Sequence, residues 1–344
     1  MIDLTKELSR LAGVSGHEQD VRQVIMRRLQ HAPSVQDIRV DRLGNCLVSL
    51  KGKKRASKAV LFAAHLDEVG GIITGIAEDG YLRFTTVGGI SADVLFARRV
   101  MINGHVGVIG GKAIHQCKGD AKTTVPSVLD MLIDIGAQTE EQARTVANEG
   151  DVFTFCDEQL SLANGYFASK ALDDRVGCAL LLKLAQIEPE YDITLAFTAQ
   201  EEIGTRGAAV AAFSVQPEIA VVIDATTAAD VASIPLEKQV CQTQNGAVVS
   251  YMDRGTLYDT KLYHYIRNLA TTFGIATQTK TTVAGGNDAS AIQRAGKGSR
   301  VAAVSLPCRY IHSPLCVLHE QDIQNTYSLL EKLMNTLPVW EETI

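Results

Sequence analysis

The chain divides by hydrophobic period before any single residue is considered. Residues 3–12 place Leu4, Leu8 and Leu11 at helical spacing, with Gly13 as the stop. Ser15-x-x-Glu18 then reads as a capping box opening a second helix through Val21, Ile25 and Leu29, which Pro33 ends. Strand-like runs follow at 38–40 and 46–50, joined by the DRLGN turn, and at AVLFAAH, 59–65. From about Gly70 to residue 163 the period shortens to glycine-punctuated alternation. GIITGIAEDGYLRFTTVGGI, RRVMINGHVGVIGGKAIHQ and LIDIG predict a small β-rich module, with one helix started by Thr139-x-x-Gln142. Its histidines, His105 and His115, read as surface or packing residues. The long period then returns: helix 175–187, strand 193–199, a helical stretch near 206–213, strand 220–224 and helix 257–273. Glycine-rich AGGNDAS precedes a short helix, then strand 301–306 and a closing helix from about 321 to 337. Strands alternating with helices predict an α/β fold, a mixed, largely parallel sheet flanked by helices, interrupted by the β-rich module. The expected division is a discontinuous domain, 1–69 plus 164–344, carrying an insert of 70–163; 344 residues also suit two cores better than one.

Composition narrows the partners. A net charge of −6 with no dense basic stripe argues against nucleic acid, and KGKKRASK (51–58) reads as a solvated turn. Seven cysteines (46, 117, 156, 178, 241, 308, 316) include no CxxC pair, which suits a reducing compartment and argues against a disulfide framework or a cysteine-built zinc site. MIDLTKELSRLAG lacks an apolar core, so no signal peptide is expected. No apolar run approaches the ~20 residues that span a bilayer. A soluble, cytoplasmic protein is the expectation.

Candidate chemistry sits at the strand ends. AVLFAAH closes on His65-Leu66-Asp67, ITLAFTAQ on Glu201-Glu202 and AVVID on Asp224; VAAVSLPCRYIH reaches His312 just beyond its strand. Asp173, in LDDR, lies just before a helix. Each alone has a plain structural reading: a solvated turn, a helix cap, a loop histidine. Together they gain weight, because ligand sites in open α/β sheets gather outside the carboxyl ends of strands. Two histidines and several carboxylates without cysteine favour zinc, cobalt or manganese. Five candidate ligands, one a carboxylate able to bridge, suit two ions ~3.5–4 Å apart. The chemistry this points to is metal-assisted hydrolysis of an amide, with a non-ligand carboxylate as proton acceptor.

GVSGHE (13–18), HLDEVG (65–70), ALDDRVG (171–177), TAQEEIGTRGA (198–208), VVID (221–224), GGNDA (285–289) and RYIHSP (309–314) stand in one order over nearly the whole chain. In this the sequence resembles the tetrahedral-assembly di-metal aminopeptidases, which include glutamyl and deblocking aminopeptidases. The resemblance implies His65 and Asp224 on one metal, Glu202 and His312 on the other, and Asp173 bridging. It implies Glu201 as general base and Asp67 as the residue orienting His65. It further implies a PDZ-like dimerisation insert at 70–163, dimers assembling into a twelve-subunit tetrahedron, and short peptides trimmed from the free N-terminus. Two departures stand out: Asn287 where the family usually has threonine, and Leu315-Cys316 where an acidic residue commonly follows HSP. Gly286, Asn287 and Asp288 are candidate substrate-binding residues, although a helix start with Asn287 as N-cap explains the same loop. Two other readings stay open: a di-metal deacylase or carboxypeptidase on the same scaffold, and a non-catalytic scaffold protein.

Overall fold

A computed structural model describes residues 1–116 and 124–341. Cys117 lies outside them, and the six described cysteines are free. Helices α1 (Ile2–Arg10) and α2 (Gln19–Leu29) bury Leu8, Val21, Ile25 and Leu29 against the core. The capping box is not formed. The Ser15 hydroxyl donates instead to Asp67, and Glu18, itself the N-cap residue, accepts from the amides of Gly16 and Gln200. Helix α2 begins at Gln19, so Ser15 stands three residues ahead of its N-cap, Glu18, and is too early to cap it.

β1 (Val35–Val40), β2 (Cys46–Leu50) and β3 (Val60–His65) lead into the β-rich module. There β4 (Gly70–Ile76), β5 (Leu82–Val87), α3 (Ala92–Leu95), β6 (Arg99–Ile102), β7 (His105–Gly110), β8 (Leu132–Asp134), α4 (Glu140–Arg144) and β9 (Val152–Phe155) follow in order. Its strands close a barrel in the order β4-β5-β8-β7-β6-β9 around Ile73, Leu82, Val100, Ile109 and Phe153. Thr139 caps α4 as expected, its hydroxyl accepting from the Gln142 amide. His105 is exposed and its ring faces the Asn103 carbonyl; His115 is also exposed.

The remaining elements are β10 (Leu160–Ser161), β11 (Tyr166–Ser169), α5 (Leu172–Leu184), β12 (Ile193–Thr198), α6 (Arg206–Val215), β13 (Ile219–Thr227) and β14 (Ala247–Val249). They end with α7 (Thr260–Thr272), β15 (Thr277–Thr279), α8 (Ala289–Ile292), β16 (Arg300–Cys308), β17 (Cys316–His319) and α9 (Glu320–Thr336). The central sheet runs β1-β2-β12-β3-β13-β16-β14-β15; its middle, β12 to β16, is parallel, while β1, β2 and β14 join antiparallel. Both faces are covered, which is why β3 reads as an unbroken apolar run. Val60, Phe62 and Ala64 pack towards α1, α2 and α5, whereas Leu61 and Ala63 pack towards α6 and α8. Helix α5 begins three residues before the expected 175, so Asp173 and Asp174 fall within its first turn, with non-helical backbone angles.

Candidate active site

Strand parity brings the first two groups together. Leu61 and Ala63 of β3 face α6 and α8, so His65 continues that face; Ala220, Val222 and Asp224 do the same in β13. The register pairs Val222 with Ala63, which sets Asp224 level with His65. His65 Nε2 lies 3.7 Å from Asp224 Oδ1. On the other side β12 ends with Thr198 opposite His65, and the chain turns at once through Glu201 and Glu202.

Asp173 and His312 arrive through a second, three-stranded sheet. β17 pairs with β11, Cys316 opposite Ser169, which lays the start of α5 beside the loop 309–315. Asp173 then stands between the two imidazoles, Oδ1 3.1 Å from His65 Nε2 and Oδ2 3.6 Å from His312 Nε2. Glu202 Oε2 is 3.2 Å from His312 Nε2. Two overlapping groups result, His65–Asp173–Asp224 and Asp173–Glu202–His312, with the ligand atoms of each within 4.8 Å of one another. Both contain Asp173.

The opposite ring nitrogens are held from behind, which turns both Nε2 atoms inward. His65 Nδ1 faces the Asp67 carbonyl at 3.1 Å and Asp67 Oδ1 at 3.4 Å. His312 Nδ1 faces the Gly89 carbonyl at 2.8 Å, so the barrel supplies one wall of the site. The approach is close: a Cβ on Gly88, whose φ is +83°, would meet Val69 at 2.8 Å and Glu202 at 3.3 Å. Asp67 also accepts from the amides of Glu201 and Glu202 at 3.0 and 3.1 Å, fixing the turn that carries both. Left-handed backbone at Ala171, Gln200, Tyr310 and His312 marks the loops that deliver the site residues.

Burial and crowding shape the electrostatics. Burial, then the Asp173 charge, pushes Asp224 up to about 8. Burial, with Asp288, Asp224 and Glu202 adding repulsion, holds Glu201 well above the usual carboxylate range. Burial opposes ionisation of Asp67, but His65, Ser15 and the Glu201 amide outweigh it and keep that carboxyl low. His312 rises to about 11, because Asp173 and Glu202 overcome the cost of its burial. Such a cluster is short of positive charge. Glu202 Oε1 is buried with no hydrogen-bond partner among the described residues, an orphaned lone pair of the kind a cation satisfies. Imidazole and carboxylate donors in this number fit zinc, cobalt or manganese.

A cavity of about 160 Å³ opens beside these groups, lined in part by Thr226, Lys280, Gly286, Asn287 and Ile311. Of the three expected substrate-binding residues, Gly286 and Asn287 line it. Asp288 is turned away, buried, accepting from Thr198 Oγ1 at 2.5 Å. Asn287 Oδ1 accepts from the Ala289 amide, while the N-cap position of α8 falls to Asp288, with no side-chain cap bond. Sequence reasoning missed three contributors. Asp174 is buried and accepts from the His65 amide, Gly89 orients His312, and Glu68 ties Lys170 and Arg175 together beneath the site. The paired acids of LDDR were a signal for the first; a backbone carbonyl leaves none.

The acids and imidazoles gathered at this sheet edge make a possible metal-binding cluster, and the comparisons give the family to which the chain belongs. The M42 glutamyl aminopeptidase family matches residues 44–329, so the chain belongs to the M42 peptidases, metal-dependent hydrolases. It is 30% identical to the lysyl aminopeptidase of Pyrococcus furiosus, over 97% of this chain and 97% of that one. Among solved structures it is similar to the TET aminopeptidase of Thaumarchaeota archaeon SCGC AB-539-E09, with TM-score 0.93 and 30% identity over 98% and 96% of the two chains. It is also similar to the Pyrococcus horikoshii TET1 peptidase, with TM-score 0.85 and 32% identity over 97% and 99%. That peptidase can assemble into a tetrahedron or a large octahedral shell.

Proposed function

We propose that this chain is a metal-dependent aminopeptidase that removes single N-terminal residues from short peptides. The observation that carries the reading is the pair of overlapping ligand groups sharing Asp173. His65 and Asp224 would hold one divalent ion, Glu202 and His312 the other, with Asp173 common to both; zinc, cobalt and manganese all suit the donors. Bound there, the ions would supply the acidity that makes water nucleophilic at neutral pH and would polarise the scissile carbonyl. Glu201, beside the cavity and outside both ligand groups, is the general base: it takes the water proton and returns it to the departing amine. Asp67 orients His65 and fixes the Glu201–Glu202 turn. The surrounding carboxylates favour the free α-ammonium of a substrate, and the cavity has room for one side chain.

The same reading makes 1–69 plus 164–344 the catalytic domain and 70–163 a PDZ-like dimerisation insert, with dimers assembling into a tetrahedral dodecamer. Free cysteines and an absence, among the described residues, of any helix long and apolar enough to cross a membrane are compatible with a cytoplasmic site of action. The test compares peptides with free and acetylated N-termini, before and after chelation and with each metal added back. Activity confined to free N-termini, lost on chelation and restored by a divalent ion, is the expected result. Cleavage of acetylated peptides, or release of C-terminal residues, would instead support a deacylase or carboxypeptidase, and no metal-dependent cleavage of any kind a scaffold protein.

A further inference from the structure

The segment GVSGHE (13–18), which the metal-centred chemistry leaves unused, lies against the turn that bears Glu201. It is fastened to the end of β3. Val14 forms a parallel bridge with Glu68, and the Glu68 amide donates to the Gly13 carbonyl at 2.9 Å. Ser15 Oγ donates to Asp67 Oδ2 at 2.6 Å. Glu18 follows, 2% exposed, at the N-cap position of α2. A carboxylate there ordinarily accepts from the first-turn amides of its own helix. The Glu18 carboxylate makes no such bond. Its Oε1 accepts from the Gly16 amide at 2.7 Å and from the distant Gln200 amide at 3.2 Å.

That second bond completes a series. The Ala199 amide donates to Asn45 Oδ1 at 2.8 Å, Gln200 to Glu18, Glu201 to Asp67 Oδ1 at 3.0 Å and Glu202 to Asp67 Oδ2 at 3.1 Å. Every acceptor is a side chain from another part of the fold, so the turn after β12 takes its shape from outside itself. Gln200 sits at φ +58°, in the left-handed region that residues with a Cβ disfavour. Glu18 holds the peptide plane before Gln200 and Asp67 the plane after it. Together the two carboxylates set φ and ψ at Gln200, and with them the direction in which the Glu201 side chain leaves the backbone.

We propose that Glu18 is a positioning residue for the reaction, aiming Glu201 at the cavity through its bond to the Gln200 amide. The proposal rests on the general-base role given to Glu201 above. Without the Glu18 acceptor, Gln200 is free to leave the left-handed region, and Glu201, the next residue, shifts with it. Glu202 keeps its own Asp67 bond and its place beside His312, so the ligand groups persist while the base is misplaced.

The test uses metal-loaded full-length protein, a panel of aminoacyl p-nitroanilides, and two variants. Glu18→Met keeps the bulk of the side chain without an acceptor, and Glu18→Gln keeps a carbonyl oxygen that can accept the same amides. Glu18→Met should lower kcat by about 10–100-fold, the effect of misplacing a catalytic group by about 1 Å, with KM and metal content unchanged. Glu18→Gln should restore most of that loss. Hydrogen exchange read by mass spectrometry over 199–204 reports on the turn without turnover. Glu18→Met should speed it by about 10-fold, the factor that one hydrogen bond to a charged group supports, and Glu18→Gln should not. Should Glu18→Met not fold, Glu18→Asp, one methylene short of the Gln200 amide, takes its place in both arms with losses in the same direction. Unchanged kcat, unchanged exchange, loss of metal along with activity, or an equally deep loss in Glu18→Gln each overturns the proposal. Should wild type cleave no anilide while exchange follows the stated pattern, the hold of Glu18 on the turn stands and the aminopeptidase reading falls.

Discussion

Glu201 and Glu202 are adjacent in sequence, and the different roles proposed for them follow from where their carboxylates lie. Glu202 Oε2 touches His312, whereas Glu201 belongs to neither ligand group and lies beside the open cavity. Glu201→Gln should therefore lower kcat by about 10²–10⁴-fold, the usual contribution of a general base, while metal content stays unchanged. Glu202→Gln should lose metal as well as activity; atomic absorption on both variants separates the two. Glu68 is different again. Its carboxylate accepts from the Gly13 amide, from Lys170 at 2.8 Å to both oxygens and from Arg175 at 3.2 Å, all out of solvent. Glu68→Gln leaves two buried cations short of a counter-charge and should cost about 3–5 kcal/mol in urea unfolding. A loss below 1 kcal/mol would mean that water or backbone carbonyls satisfy those cations.

The element that needs the most support is the loop 309–315, which carries His312 beyond the end of β16. It is anchored at its base and its tip. Arg309 pairs with Asp230 at 2.8 Å and lies over the Tyr166 ring, 5.0 Å from the centroid, while His312 leans on Gly89 of the barrel. Burial alone would raise the Asp230 carboxyl, but Arg309 and Thr243 outweigh it and hold it below the usual range. A folded value below the unfolded one contributes stability above the unfolded pKa of ~3.9, and that stability is lost as pH falls through the folded value. The stability gap between wild type and Asp230→Asn should thus be full at neutral pH and shrink on acidification below about pH 4. A gap that widens in acid would contradict the assignment. Gly88→Ala, at φ +83° and tight against Val69, should displace the Gly89 carbonyl and weaken metal affinity by about 10–100-fold. The gathering of His65, Asp224 and the Glu201–Glu202 turn was legible because strand parity and a parallel sheet put strand ends together. The barrel's part in the site was not: a carbonyl contact has no residue signature, and the segment 70–163 offered few plausible catalytic side chains. Ser15 misled for a related reason. Its local pattern fits a helix cap, and only the fold shows that α2 starts later, at Gln19, while the Ser15 hydroxyl donates to Asp67.

At the scale of the molecule, one sheet buries apolar residues on both faces and concentrates acid at one end. Small side chains make the α6 and α8 face close-packed. A Cβ on Gly207 would meet Asn45 Oδ1 at 2.2 Å and the Ala199 carbonyl at 2.3 Å, and Asn45 bonds both Ala199 and Gly207. The acid end is a different matter, since burial and the neighbouring Asp173 charge push the Glu202 and Asp224 carboxyls up. Binding of cations to the native state alone should raise the melting temperature, and chelation should lower it. The most direct measurement is anomalous diffraction from crystals grown with zinc or cobalt. Two peaks are expected, one against His65 and Asp224 and one against Glu202 and His312, with Asp173 touching both. A single peak, or none among these residues, would contradict the two-ion site.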